Sequence, residues 1–260
     1  MIGVRVTSVG VLGPGLQDWA TASAVLSGRA RYVMEPIPDP SPALLPANER
    51  RRASATVRWA LAAGHEALAA SGLPGEDVAT VFVSCGGDGQ ITHQICDALA
   101  APTREISPTR FHNSVHNAPA GYWCIATRSL APSTSLCGYE ASFAVGLLEA
   151  AAQTTEEARA VLMIAYDLPY PQPMHALWPI SQPFAVALML EPASATGTHL
   201  YLAVRPGDAR LSWPDVLPRA LSDNPAAHAA PILAVLARRE HGALEVPYLQ
   251  GSHVGVEVRS

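Results

Sequence analysis

Two runs of almost unbroken apolar residues, Val78–Ser84 and Ala160–Asp167, limit what this chain can fold into. Both are too short for a core-spanning helix and neither alternates with polar residues, so each reads as a strand buried on both faces. Upstream of the first run, the stretch Glu49–Ser71 sets Val57, Ala60, Leu61, Gly64 and Leu68 on one helical face and stops at Gly72. The run ends in Cys85-Gly86-Gly87-Asp88-Gly89, and Ile91–Leu99 then resumes helical spacing. Helix, buried strand, glycine-rich turn and helix in succession is the order of a layered α/β fold.

The flanking sequence extends this pattern. Val4–Leu12 alternates and breaks at Gly13-Pro14-Gly15, a strand and a turn, and Leu16–Leu26 has helical spacing that stops at Gly28. Met34–Pro46 is too proline-rich for a regular element and reads as a surface loop. Ser107–Arg128 predicts a loop that enters a helix near Pro119. Ser133–Leu136 predicts a short strand, Glu140–Ala152 an apolar helix, and Phe184–Glu191 another strand. Beyond a weakly marked linker at Pro192–Gly197, His199–Val204 predicts a strand. Ala226–Arg239 predicts a helix that Asp223-Asn224-Pro225 caps and starts, and Leu244–Leu249 with Val254–Val258 a closing hairpin.

Composition removes several function classes. The 260 residues are 49% apolar and 15% charged, which supplies the core of one domain and excludes disorder or coiled coil. All 17 basic residues are arginine, so a Schiff base, a P-loop lysine and a lysine general base are unavailable. A net charge of −5 without a basic run offers no nucleic-acid face. No apolar run approaches the roughly 18 residues of a membrane helix. The N-terminus lacks a signal-peptide pattern, and the expectation is a soluble cytoplasmic chain.

Candidate sites are few. Cys85, Cys96, Cys124 and Cys137 form no C-x-x-C, which argues against a zinc knuckle or a disulfide framework. Gly86-Gly87-Asp88-Gly89 lacks nucleotide-loop spacing and reads as a tight turn that uses positive φ, with Asp88 a turn residue. His112 and His116 would share a face on a helix, but no acid or cysteine stands at matching distance and Pro119 follows closely, so metal binding is not expected. Tyr166, Asp167 and Tyr170 lead a proline loop at the expected C-terminal edge of the sheet, where they either border a cleft or pack as part of the loop.

Three segments together carry a family resemblance: VTSVGVLGPG with the following Trp19 and LSGRA; ERRRASATVRWALAAGHEALAASGL running into VATVFVSCGGDG; and SPTRFHNSVHNAPAGYWCIATRSLAPSTSLCGYEASFAVGLLEAA. They resemble the first half of a β-ketoacyl synthase of the thiolase-like superfamily. Within it, the chain looks most like the short chain-length-factor-like subunits that accompany a true ketosynthase in bacterial aryl polyene pathways. The resemblance covers residues 1–192. It implies an α/β, thiolase-like layered fold: a single, half-size unit with a mixed sheet, in which residues 193–260 form a short C-terminal α+β extension completing the same domain. A half-size unit has one sheet, and its open face must be covered by a partner or by the tail.

The resemblance also sets the chemistry. A ketosynthase nucleophile is a cysteine at a tight strand-to-helix turn, where the helix N-terminus lowers its pKa and backbone N–H groups hold an oxyanion. Matching Pro132-Ser133-Thr134-Ser135 to the strand, and Ala141, Ser142, Ala144 and Gly146 to the helix, puts Glu140 at the nucleophile position. A carboxylate there is stabilised and is a poor attacker of a thioester. Read by itself, Glu140 is equally a first-turn acid complementing the helix dipole. Cys137 lies on the strand side of the turn. It is either a structural cysteine or the nucleophile of a stand-alone thioesterase or acyltransferase, although no G-x-S-x-G or placed histidine motif accompanies it.

The two histidines and the lysine that a ketosynthase draws from its second half are missing: there is no H-G-T, and His199, His228, His241 and His253 match no motif. The resemblance therefore implies a catalytically silent subunit without catalytic residues, cofactor or metal. It would pair as a heterodimer with a full-length ketosynthase and act on polyene or fatty acyl chains carried by an acyl carrier protein. It assigns the interface and acyl tunnel to Phe111, His112, Asn113, Ser114, Val115, His116 and Asn117.

Overall fold

The computed structural model describes residues 1–260. Its strands are β1 (Ile2–Leu12), β2 (Ala79–Ser84), β3 (Ser133–Cys137), β4 (Val161–Asp167), β5 (Phe184–Pro192), β6 (Thr198–Pro206), β7 (Gly242–Pro247) and β8 (Ser252–Arg259). They form one sheet in the order β3-β2-β4-β5-β1-β6-β8-β7. β2 lies parallel to β3 and β4, whereas every other neighbouring pair is antiparallel. Every residue of β2 and β4 is buried, as their unbroken apolar runs require. β1 receives β5 along one side and β6 along the other, so the chain crosses the expected linker without leaving the sheet.

The helices are α1 (Trp19–Leu26), α2 (Ala47–Arg52), α3 (Ala55–Ser71), α4 (Gly89–Ala100), α5 (Pro108–Asn113), α6 (Ala118–Thr127), α7 (Ser142–Glu156) and α8 (Ala230–Arg238). They give the sheet two separate cores. One joins Phe143 and Leu147 of α7, Val25 of α1 and Ile232 and Leu233 of α8 to inward residues of the strands. The other joins Trp59 and Leu61 of α3 and Trp123 of α6 to Phe82, Ile164 and Tyr166. The tail itself thus lays a helix on the sheet.

Helix boundaries depart from the periodicity where a cap or a proline intervenes. Glu49–Ser71 is two helices, because Ala53 and Ser54 are extended and the Ser54 hydroxyl accepts the Val57 N–H at 3.3 Å. The first helix begins at Trp19 because Asp18 caps Thr21. Part of the loop expected within Ser107–Arg128 is helical: Pro108, with φ already suited to a first turn, starts α5. A 3-10 turn, Tyr139–Ala141, precedes α7, and another, Pro225–Ala229, precedes α8.

The closest helix-to-sheet approach is at Gly10, where an added Cβ would stand 2.1 Å from the Ala63 carbonyl oxygen of α3. Gly10→Ala should therefore lower unfolding free energy by about 1–3 kcal/mol in chemical denaturation, as overpacking does. Gly121→Ala, on the exposed side of α6 with nothing within 4 Å of its Cβ, should raise it by up to ~1 kcal/mol.

Candidate functional site

The parallel strands β2, β3 and β4 end at one edge of the sheet. There Ser84 pairs with Cys137, and Cys85 follows within reach of both neighbouring strands. Asp167 accepts the Cys85 N–H on Oδ1 at 2.7 Å, and the Cys137 thiol donates to the Cys85 carbonyl at 2.7 Å. Asp167 is 2% exposed, and burial drives its carboxyl well above the usual range despite the Cys85 N–H. Burial first, then the neighbouring Asp167, pushes the Cys85 thiol up to about 12. Such a thiol is inert at neutral pH.

The glycine-rich turn has a packing role beyond its backbone. Gly87 has φ +73°, and added Cβ atoms at Gly86 and Gly89 would fall 2.9 Å from the Tyr170 hydroxyl and 1.9 Å from its ring, so Gly86 and Gly89 admit Tyr170 against the turn. Asp88 is more than a turn residue: its Oδ1 accepts the Ile91 N–H at 2.9 Å and caps α4. Tyr166 and Tyr170 are both buried, while Leu168 and Pro169 of the same loop line a cleft with Gly87–Ile91, so the loop packs and borders a cleft at once.

At the strand-to-helix turn, Tyr139 takes the left-handed conformation with φ +50°, and exposed Glu140 follows it within the 3-10 turn. Ser142 donates to the Tyr139 carbonyl at 2.6 Å and accepts the Gly138 N–H at 3.2 Å, which closes the turn. The Tyr139 ring stacks on Trp178 with centroids 6.3 Å apart. The crest of the turn thus carries a stacked phenol and a carboxylate, while the nearest thiol, Cys137, is engaged below it.

The tail reaches the same edge, a contact that sequence reasoning missed. Asn224 is fully buried and donates to the carbonyls of Asp167 and Gln182 at 2.9 Å each, while its Oδ1 accepts the Ala226 N–H. This places His228 beside Glu140. Burial lowers the His228 pKa, against which the Ser222 carbonyl, 3.3 Å from Nε2, and Glu140 act. The Asp223-Asn224-Pro225 cap was the one legible signal of this turn. His199, His241 and His253 lie on or beside β6–β8, across β1 from this edge.

Residues 111–117 divide into two sets. Phe111 and Val115 are 65% and 51% exposed, with His112 and Asn117 also outward and Ser114 half-buried. Asn113 is buried and donates from Nδ2 to the Arg52 carbonyl at 2.7 Å, and His116 is half-buried against Gly87. α5 ends at Asn113, so His112 and His116 do not share a helix and the spacing behind a metal reading is broken. No three His, Cys, Asp or Glu side chains gather as ligands. Beyond this segment, β3 pairs with β2 alone and leaves its outer edge open beside exposed Ile125 and Leu130.

A family model described as "Beta-ketoacyl synthase, N-terminal domain" matches residues 19–242. The structure is similar to "Ketosynthase (ApeO) in Complex with its Chain Length Factor (ApeC) from Xenorhabdus doucetiae", with TM-score 0.74, 24% identity, and 99% of this chain and 100% of that chain covered. It is also similar to the ishigamide ketosynthase/chain length factor, with TM-score 0.75, 13% identity, and 100% and 99% coverage. A β-ketoacyl synthase from Burkholderia phymatum STM815 matches with TM-score 0.71, 11% identity, and 100% and 99% coverage. At these identities the likeness shows the fold. No curated protein matches the chain, and no helix is long and apolar enough to cross a membrane.

Two outcomes follow from the buried edge. A thiol reagent should modify exposed Cys96 and Cys137 in the native protein and leave Cys85 unmodified until unfolding, as read by peptide mass spectrometry. Because the folded carboxyl of Asp167 holds its proton above the unfolded pKa, its contribution to stability is present at low pH and falls as pH rises above about 4. Asp167→Asn should flatten that decline in denaturation curves across pH; an unchanged slope would show the carboxyl to be ionised in the fold.

Proposed function

Because the chain belongs to the family of β-ketoacyl synthase N-terminal domains, we propose that it is a catalytically silent, chain-length-factor-like subunit. In this reading it pairs with a full-length ketosynthase and shapes the tunnel for an acyl chain held on an acyl carrier protein. The observation that carries the reading is the turn before α7, which presents Tyr139 and Glu140 and no thiol. Cys137 donates to a carbonyl rather than facing a base, which weighs against a stand-alone thioesterase or acyltransferase. The missing lysine and H-G-T histidine leave decarboxylation without its groups.

Pairing is supported by the open edge of β3, whose five residues are all exposed or half-buried, and by the outward set Phe111 and Val115. The similar structures include a ketosynthase in complex with its chain length factor, which favours the same kind of partner here. In the same reading residues 193–260 complete the domain, since β6 pairs with β1 and Asn224 is bonded to Asp167. Aryl polyene elongation in the cytoplasm is the setting that the sequence resemblance favours.

The isolated chain should yield no condensation product from malonyl and acyl carrier substrates, and Glu140→Cys should yield none either, because the histidine and lysine partners stay absent. Product from that variant would overturn silence. Phe111→Ala should weaken association with the ketosynthase by about 2 kcal/mol or more, as central aromatics do. Arg29→Ala, at an exposed arginine outside this segment, should leave it unchanged. A neutral Phe111→Ala would place the interface elsewhere.

A further inference from the structure

Four buried polar atoms without a hydrogen bond of good geometry belong to residues lining one small chamber: Asp88 Oδ2, Asn113 Oδ1, His116 Nε2 and Tyr166 Oη, the last of which also has the Ser84 hydroxyl nearby. Two of these residues use their other polar atom elsewhere. Asp88 spends Oδ1 on the Ile91 N–H, and Asn113 spends Nδ2 on the Arg52 carbonyl. Tyr166 is fully buried within the α3-side core, and His116 packs its ring edge against Gly87. The chamber measures about 10 Å³, close to the space one water needs. It shares Ser54, Thr56, Gly87 and Asp88 with an outer cleft of about 370 Å³, which gives it a route to solvent.

We propose that one structural water occupies this chamber and bonds Asp88, Asn113, His116 and Tyr166. The stoichiometry fits. Asp88 Oδ2 and Asn113 Oδ1 are acceptors, Tyr166 Oη–H is a donor, and His116 Nε2–H is a donor in one neutral tautomer. A water offers two hydrogens to the first pair and two lone pairs to the second. Burial lowers the His116 pKa, which keeps the ring neutral as this pattern allows. Leaving four such groups unbonded in the interior would be costly, and none of them bonds another.

The water joins the α4 cap, the β4 end and the segment 113–116. It holds Asn113 and His116 inward, so Phe111 and Val115 stay outward. This last step rests on the reading that residues 111–117 face the partner, and the water thus pre-orders that surface.

A crystal structure at about 1.5 Å or better should show a water within roughly 2.6–3.2 Å of Asp88 Oδ2, Asn113 Oδ1, His116 Nε2 and Tyr166 Oη. A chamber without that density overturns the proposal. Tyr166→Phe keeps the ring and removes one bond, so amide exchange at residues 113–117 should rise about tenfold. His116→Leu should do the same and His116→Gln, which keeps an N–H donor, should do so less; unchanged exchange in Tyr166→Phe and His116→Leu alike overturns the proposal. Ketosynthase affinity is measured separately on the same variants. Water present and exchange raised with affinity unchanged would leave the water in place and remove the interface reading of residues 111–117.

Discussion

The functional edge of this protein hangs on Asp167. Its side chain accepts the first free N–H beyond β2, at Cys85, and its carbonyl accepts Asn224 from the tail. One residue thereby fixes the glycine-rich turn, the end of β4 and the start of the C-terminal helical segment relative to one another. Burial keeps its carboxyl protonated well beyond the usual range, which avoids placing an unpaired charge in the interior. The same bond sets the turn that brings His228 beside Glu140, while α8 docks on the sheet through buried Ile232 and Leu233.

From that anchoring follows the chemical character of the turn before α7. A strand-to-helix turn at the end of a parallel strand is where such folds expose reactive groups. Here the strained position is taken by Tyr139, whose ring is held by Trp178, and the next residue is a carboxylate. Neither is a nucleophile toward a thioester at neutral pH. Of the nearby thiols, Cys85 is suppressed by burial, and Cys137 is exposed and donates to a carbonyl rather than to a base. In the proposed reading, this turn belongs to a subunit that shapes a site rather than one that performs the reaction.

How much of this was legible depended on the range of the interaction. β2 and β4 could be read because an unbroken apolar run buried on both faces has few other solutions. The division of Glu49–Ser71 at Ser54 and the helix at Pro108 were obscured because helical periodicity continues across a cap, and because a proline marks a first turn as readily as a loop. Glu140 at the turn was readable only by matching the strand before it and the small residues after it to the ketosynthase pattern; the left-handed Tyr139 was not, since nothing local distinguishes a strained tyrosine. His228 was invisible because only Asn224, bonded across the fold to Asp167 and Gln182, brings it to the turn. The inward and outward division of residues 111–117 likewise arises from contacts to Arg52 and Gly87.

Silence within an assembled pair is the central claim, and intact-mass spectrometry tests it most directly. The chain is co-purified with its ketosynthase, loaded with an acyl thioester on an acyl carrier protein, and both subunits are weighed. The account predicts the acyl increment on the ketosynthase and an unchanged mass for this chain. An acyl increment on this chain, at Cys137 or any other residue, would contradict it.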